Sequence, residues 1–317
     1  MPIGKKSSKV FITIIATVVI LAGAGYYFME QAQQKAVAGL THALQKGQIQ
    51  YHDINCRGIL SMTCHVNHVS LGDGTKIEQI IFKNFEQFAT VAEEKSASIN
   101  LNIELKGIDS DTTNFQNKMM LFTMMTGKHL SQTDAMHIEK IARLLVQGDM
   151  FIKGHLEFEN KKLHRFDDFG FVYDNNLFPF DLIVSGSDKL GAKQDPRNVS
   201  FTKIQFGMDL QHKKETFAKI YKILSSNPKL TDAMIENQWH KFVTRILMNI
   251  QKKKATLSDP LALDLLNTVE NVLKDNKRRI TMIVRSKNAT GISAMDIINN
   301  SRNKKFLLDH VDLKVTN

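Results

Sequence analysis

A long apolar run is the first feature of the hydrophobic pattern. From Val10 to Phe28 nineteen consecutive residues carry no charge, and three lysines precede them. As a helix this run would extend roughly 28 Å, close to the hydrocarbon thickness of a bilayer. It predicts a transmembrane helix over 10–28, after a cytoplasmic tail at 1–9, because basic residues remain on the cytoplasmic side. The remainder of the chain would then be exported.

A cleaved secretory signal is the alternative interpretation of this run. Ala22-Gly23-Ala24 fits the small-residue cleavage site that follows a basic segment. Two features favour an uncleaved anchor, because the apolar run continues past that site and the aromatic residues 26–28 suit the outer membrane interface. Both interpretations export the same chain, but only the anchor, bounded by Val10 and Phe28, keeps it attached to the membrane.

The pattern changes its period twice after the apolar run. Over 29–47, Ala36, Leu40 and Leu44 recur at helical spacing, which predicts an amphipathic juxtamembrane helix. From residue 48 apolar and polar positions alternate, which predicts antiparallel strands with one buried face. In this part of the chain, strands are expected near 49–56, 62–71, 76–85 and 99–105.

Helices and strands alternate again in the rest of the chain. Helices are expected over 115–128, 131–146, 231–252 and from residue 259, and strands over 149–160, 163–173, 178–186, 199–210, 280–284 and 311–315. The predicted fold class is α+β, with an N-terminal single transmembrane helix followed by antiparallel β-meanders packed with amphipathic helices. The exported α+β domain would cover 48–317, and the order of its elements suggests two similar halves, 48–148 and 149–317.

The composition indicates a globular domain with a basic surface. Hydrophobic residues make up 43% and charged residues 23% of the chain, as in ordinary globular proteins. The net charge of +10 would attract an exported domain to anionic lipid headgroups. The densest basic runs, Lys252–Lys254 and Lys277–Arg279, end predicted helices, where they complement the helix dipole. Since no recognition motif accompanies the charge, we expect no nucleic-acid partner.

Cys56 and Cys64 are the only two cysteines of the sequence. They flank the segment Gly58–Leu60, and a hairpin centred there would place them directly opposite each other, at the Cα spacing that a disulfide requires. In an oxidising compartment we expect a cross-strand disulfide. Two unrelated buried thiols or a redox couple are the alternatives, although a gap of seven residues is not the CxxC of an oxidoreductase.

No motif in the sequence indicates catalysis, a metal or a cofactor. The GxSxG, Walker A and GxGxxG patterns are absent. His65 and His68 lie near Cys64 and His52, but on a strand these two histidines would face opposite sides of the sheet, and Cys64 is better used in the disulfide, which argues against a metal site. We therefore expect a non-enzymatic protein without a metal or a cofactor. A hydrolase that lacks a recognisable motif is the remaining alternative.

The beginning and the end of the chain share their order of elements with a known class of proteins. The matching elements are Lys5-Lys6, the apolar run, Leu40–Gly47, Tyr51–Leu71 with the Gly72-Asp73-Gly74 turn, and the strand, helix and strand from Ile280 to Val315. In these elements the chain resembles bacterial envelope proteins of the AsmA-like type and related membrane-anchored periplasmic families. This resemblance implies a single-pass protein of the inner membrane, with its C-terminal domain in the periplasm. It also implies a lipid-facing role.

The predicted function is envelope maintenance through binding of lipid or another hydrophobic ligand. A sheet with one apolar face, partly covered by helices, could leave a groove open for acyl chains. The alternative is a scaffold that docks another envelope protein and has a closed core with an apolar surface patch. The sequence leaves both open, because residues that line a groove and residues that fill a core are alike. The expected partners are the lipid bilayer and either a lipid ligand or an envelope protein.

Overall fold

Alternation of apolar and polar residues folds much of the chain into β-strands. The computed structural model describes residues 32–58, 61–88, 94–110, 132–160, 162–188, 199–225, 229–300 and 303–316. Its helices are α1 (Ala32–Lys46), α2 (Gln132–Val146), α3 (Lys213–Leu224), α4 (Asp232–Lys254), α5 (Pro260–Leu273), α6 (Ala294–Asn299) and α7 (Lys304–His310). Its strands are β1 (Asp53–Arg57), β2 (Thr63–Ser70), β3 (Lys76–Phe82), β4 (Ser96–Asp109), β5 (Gly148–Glu159), β6 (Lys162–Asn175), β7 (Phe180–Asp188), β8 (Val199–Asp209), β9 (Arg279–Ser286), β10 (Ile292–Ser293) and β11 (Val311–Thr316).

The eleven strands belong to one antiparallel sheet. Strands β1 to β9 pair in chain order, β11 lies beside β9 at the far edge, and the short β10 pairs with β8. Strand β4 pairs with β5 although α2 lies between them in the chain. Strand β8 likewise pairs with β9 across α3, α4 and α5. The sheet is therefore a continuous meander that the helices interrupt in sequence but not in space.

The predicted fold class, α+β with an N-terminal single transmembrane helix followed by antiparallel β-meanders packed with amphipathic helices, is wrong, because the described strands form one large antiparallel sheet. Strands on both sides of Gly148 form one sheet, because β4 and β5 satisfy each other's backbone hydrogen bonds. A long connection separates these two strands in the chain, and local periodicity does not indicate which strands pair. Among the helices that the structure describes, none is both long and apolar enough to cross a bilayer. The predicted span from Val10 to Phe28 and the helix expected over 115–128 lie outside the described residues.

One face of the sheet is apolar and the other is mainly polar. In β4 the buried residues from Ile99 to Leu105 alternate with polar residues. We call the face that carries Ile103 the inner face and the opposite one the outer face. Helix α1 joins the same core through Leu40 and Leu44, whose side chains are fully buried. Most of the fully buried core is contributed by α1 and strands β1 to β6.

The hairpin of β1 and β2 carries both cysteines. Cys56 and Cys64 are cross-strand partners, the opposition that the sequence predicts, with Cα atoms 4.0 Å apart and sulfur atoms at disulfide-bonding distance. Gly58 begins the connection with a φ of 97°, and an added Cβ would overlap the carbonyl of Ser61. The chain can make this turn because glycine tolerates a positive φ.

Helices α3, α4 and α5 pack together and form what we call the helical cap. The ring of Phe217 in α3 lies 5.3 Å from those of Trp239 and Phe242 in α4, measured between ring centroids. Lys219 Nζ donates a hydrogen bond of 2.8 Å to the carbonyl of Asn176. This bond attaches α3 to the turn between β6 and β7, so the cap lies at that end of the sheet.

An ion pair crosses three strands on the outer face. Asp181 in β7 is buried, and Arg279 in β9 donates a hydrogen bond to its carboxylate. Gly207 in β8 is the cross-strand partner of Asp181, and an added Cβ there would overlap the guanidinium of Arg279. Because Gly207 has no side chain, Arg279 can reach across β8 to Asp181.

We expect Arg279→Met to lower the free energy of unfolding by about 3 kcal/mol, because it leaves the Asp181 carboxylate buried without a counter-charge. The control is Arg285→Met, an exposed position on the same strand, which should change that free energy by less than about 0.5 kcal/mol. Denaturant unfolding measures both variants. Equal losses in the two variants would contradict the role assigned to the ion pair.

We expect the double variant Cys56→Ala/Cys64→Ala to lose about 2 to 3 kcal/mol of unfolding free energy, because a disulfide restricts the short loop in the unfolded chain. Before reduction, the intact mass of the parent protein should be lower by two hydrogen atoms than the mass calculated for two free thiols. A reductant should raise it to the calculated mass. The control is Thr63→Ala, next to Cys64 in β2. Thiols that react with a labelling reagent in the unreduced, unfolded parent would exclude the disulfide.

Candidate functional site

A single row of apolar side chains crosses the inner face of seven strands, β4 to β9 and β11. Each residue is the direct cross-strand partner of the next, and the row consists of Ile103, Ile152, Phe171, Leu182, Phe206, Met282 and Val315. We call it the inner row. At the usual spacing between strands it extends over roughly 29 Å.

Burial decreases along the inner row from β4 to β9, and Val315 at its β11 end is half-buried. Ile103 and Ile152 are 1% and 3% exposed, whereas Met282 is 36% exposed. The three residues between them in the row are half-buried. In sequence, the fully buried core cluster ends at Tyr173 in β6. The apolar pattern therefore continues for several strands beyond the closed core.

Aromatic side chains of β6, β7 and β8 widen this apolar surface. The ring centroid of Phe180 lies 5.6 Å from that of Tyr173 and 6.3 Å from that of Phe206. Burial, with smaller contributions from the carboxylates of Asp149 and Asp109, raises the pKa of Tyr173 to about 12. The phenol is therefore neutral at physiological pH and adds no charge to the inner face.

The inner face of β9 and β11 has the chemistry needed to bind hydrocarbon. Met282 and Leu313 on neighbouring strands are each more than one third exposed. An apolar ligand lying along them would remove this surface from water, a gain of about 25 cal/mol for each Å². Contact of this kind needs no polar group in a fixed position, so it suits a chain of methylene groups better than a compact polar molecule.

A separate cavity of about 610 Å³ lies where β9, β10 and α7 meet. Its lining is polar, but much of it makes local bonds. Ser286 Oγ accepts the N–H of Asn288, and Lys287 Nζ donates to the carbonyl of Leu308 at 2.6 Å. These bonds hold the corner of the fold together. Within the described part of the chain, no group of three or more His, Cys, Asp or Glu residues could hold a metal ion.

The residues singled out in the sequence and the inner row lie in different places. Cys56 and Cys64 meet at the β1 edge of the sheet, and the anchor ends Val10 and Phe28 lie outside the described residues. The sequence analysis missed the inner row as a site. Its only signal is the alternation of apolar and polar residues within β7 and β8, for example Leu182 beside Asp181 and Phe206 beside Gln205, which is the same alternation as in a core strand.

Acidic groups of the helical cap pair with its cations. Glu270 in α5 accepts hydrogen bonds from Lys254 and Lys274. Glu236 in α4 pairs with Lys214 at 2.6 Å. These lysines lower the pKa of both carboxyl groups, that of Glu270 to about 2. The carboxylates therefore join the three helices of the cap to one another.

We expect Glu270→Gln to lower the midpoint of thermal unfolding by about 2 to 4 °C at pH 7. The pKa of Glu270 is lower in the folded protein than its ordinary value of 4.5. Its contribution is therefore complete above that value and is lost as the pH falls through about 2, so the two proteins should converge over this range. Thermal melts across this pH range measure the difference.

The control for this variant is Asp264→Asn, at an exposed position of the same helix. It should leave the unfolding midpoint nearly unchanged at pH 7. A constant difference between the parent and Glu270→Gln at every pH would contradict the electrostatic explanation, because loss of packing alone does not depend on the charge of the carboxyl group.

The similarity to AsmA-like envelope proteins lies in the order of elements and includes no sequence motif. No protein-family model and no curated protein matches the chain. The resemblance therefore stays a prediction.

Proposed function

We propose that this protein binds a lipid or another hydrophobic ligand on the inner face of β7, β8, β9 and β11. In this proposal it is non-enzymatic and acts in maintenance of the bacterial envelope, at the inner membrane and with the sheet in the periplasm. The observation that carries the proposal is the decrease of burial along the inner row between β4 and β9, from 1% exposure at Ile103 to 36% at Met282. A closed core would bury the whole row.

The continuity of the row supports a ligand in preference to isolated surface residues. Single exposed apolar residues are common on soluble proteins, whereas a contiguous apolar surface indicates an interaction site. Here Phe206 and Met282 are direct cross-strand partners, and both adjoin further apolar residues of the same face. An acyl chain would extend the packing of the closed core onto these strands.

Native mass spectrometry of the gently purified full-length protein tests the proposal. We expect discrete adducts with the masses of phospholipids or fatty acids. Phe206→Arg should reduce their occupancy at least about tenfold, because an acyl chain on the inner face would bury the new charge without a partner. Gln205→Arg is the matched control, since Gln205 is also half-buried in β8 but lies on the outer face.

Both variants are first compared with the parent by thermal unfolding, so that a loss of adducts is interpreted only for folded protein. A parent spectrum without adducts would contradict ligand binding and favour the alternative, a scaffold that docks another envelope protein. Equal loss of adducts in Phe206→Arg and Gln205→Arg would place the lipid elsewhere on the protein.

A further inference from the structure

Most of the excess positive charge lies in one part of the chain. The segment from Lys213 to Arg279, which contains the helical cap, has fourteen Lys and Arg residues and seven Asp and Glu residues. Its net charge of +7 is most of the +10 carried by the whole protein. The cap is therefore the part of the molecule that an anionic partner would meet most favourably.

The ion pairs of the cap do not include the cations on one face of α4. The acidic groups Asp275, Glu236 and Glu270 pair with lysines in or beside the cap. By contrast, Lys241 and Arg245 of α4 have no ion-pair partner among the residues that the structure describes. The same is true of Lys252, although its neighbour Lys254 is paired with Glu270.

These three cations share one exposed stripe of α4 with two methionines. Successive members are separated by seven, four, three and four residues, which brings all five to the same side of an α-helix; they are Met234, Lys241, Arg245, Met248 and Lys252. The methionine side chains are 44% and 56% exposed. The stripe contains no acidic residue and extends roughly 27 Å along the helix axis.

We infer that this stripe of α4 is a docking surface for an anionic lipid bilayer. Lys and Arg side chains would lie among the headgroups, and the methionines would reach toward the acyl boundary, as on helices that lie in a membrane interface. Charge complementarity selects this partner, because three unpaired cations and two exposed methionines share a face that has no acidic residue. The docking surface is separate from the inner-face ligand and does not depend on it.

A fluorescent probe on the stripe tests docking in the full-length protein. Met248→Cys is labelled with an environment-sensitive fluorophore. The parent protein is treated with the same reagent and should remain unlabelled, which would show that Cys56 and Cys64 do not react. Vesicles of phosphatidylcholine are compared with vesicles of an equal mixture of phosphatidylcholine and phosphatidylglycerol. We expect a blue shift and brighter emission only with the mixture, and loss of both at high salt. This local signal is independent of any other attachment of the chain to the vesicle.

Charge reversal identifies the residues responsible. The triple variant Lys241→Glu/Arg245→Glu/Lys252→Glu should lower the ratio of docked to undocked protein at least about a hundredfold, because each basic residue at an anionic surface raises it about fivefold. The matched control carries the same change of charge at exposed lysines of the sheet, Lys153→Glu/Lys162→Glu/Lys314→Glu.

The control variant should keep the blue shift, and both triple variants should unfold at a temperature close to that of the parent. The inference is overturned if the probe responds equally to both kinds of vesicle. It is also overturned if the control variant loses the signal as fully as the stripe variant, since net charge alone would then explain the attraction. Lipid adducts in native mass spectra report on the inner face, so the two proposals can fail separately.

Discussion

Unbroken antiparallel pairing from β1 to β11 is the constraint on which the rest of the structure depends. Because side chains alternate between the two faces of a strand, the register of each ladder decides which residues share a face. These registers put Ile103, Phe171 and Met282 in one row although helices and long connections separate them in the chain. The same ladders hold Asp181 within reach of Arg279. A slip of one residue in any ladder would turn the apolar residues of that strand to the outer face.

Irregular positions keep this register where the sequence does not alternate strictly. Phe166 and Phe169 are an odd number of residues apart, yet both side chains pack with the core. The register shifts between them, and Asp168 in this interval has a φ of 45° and donates its N–H to Ser185 Oγ. Its carboxylate pairs with Lys203 at 2.9 Å. A bulge with its own polar partners therefore returns the following aromatic residues to the inner face.

Local features of this fold could be predicted from the sequence, whereas long-range ones could not. The strand expected over 199–210 is β8, and the opposition of Cys56 and Cys64 followed from a short hairpin. The pairing of β8 with β9 could not be predicted, because three helices intervene and periodicity does not identify a partner. Helix α3 was missed although its apolar residues recur at helical spacing; they are Phe217, Ile220, Tyr221 and Leu224. The inner row could not be distinguished from a core, since exposure depends on what packs above it.

The charge of the protein is likewise predictable only in part from the sequence. Its composition predicts attraction to a membrane but does not identify the residues that produce it. At physiological ionic strength an exposed charge is screened beyond about 8 Å, so distant members of the +10 contribute little at a contact. Ion pairing within the protein decides which cations can attract a membrane. Lys254 faces Glu270 and joins α4 to α5, whereas Lys252, two residues earlier, is exposed on the stripe. Within the basic run Lys252–Lys254, one lysine thus holds two helices together and another is available at the surface. The stripe differs from the rest of the basic cap because the aliphatic stems of its cations and its methionines supply apolar contact beside charges that have no counter-charge.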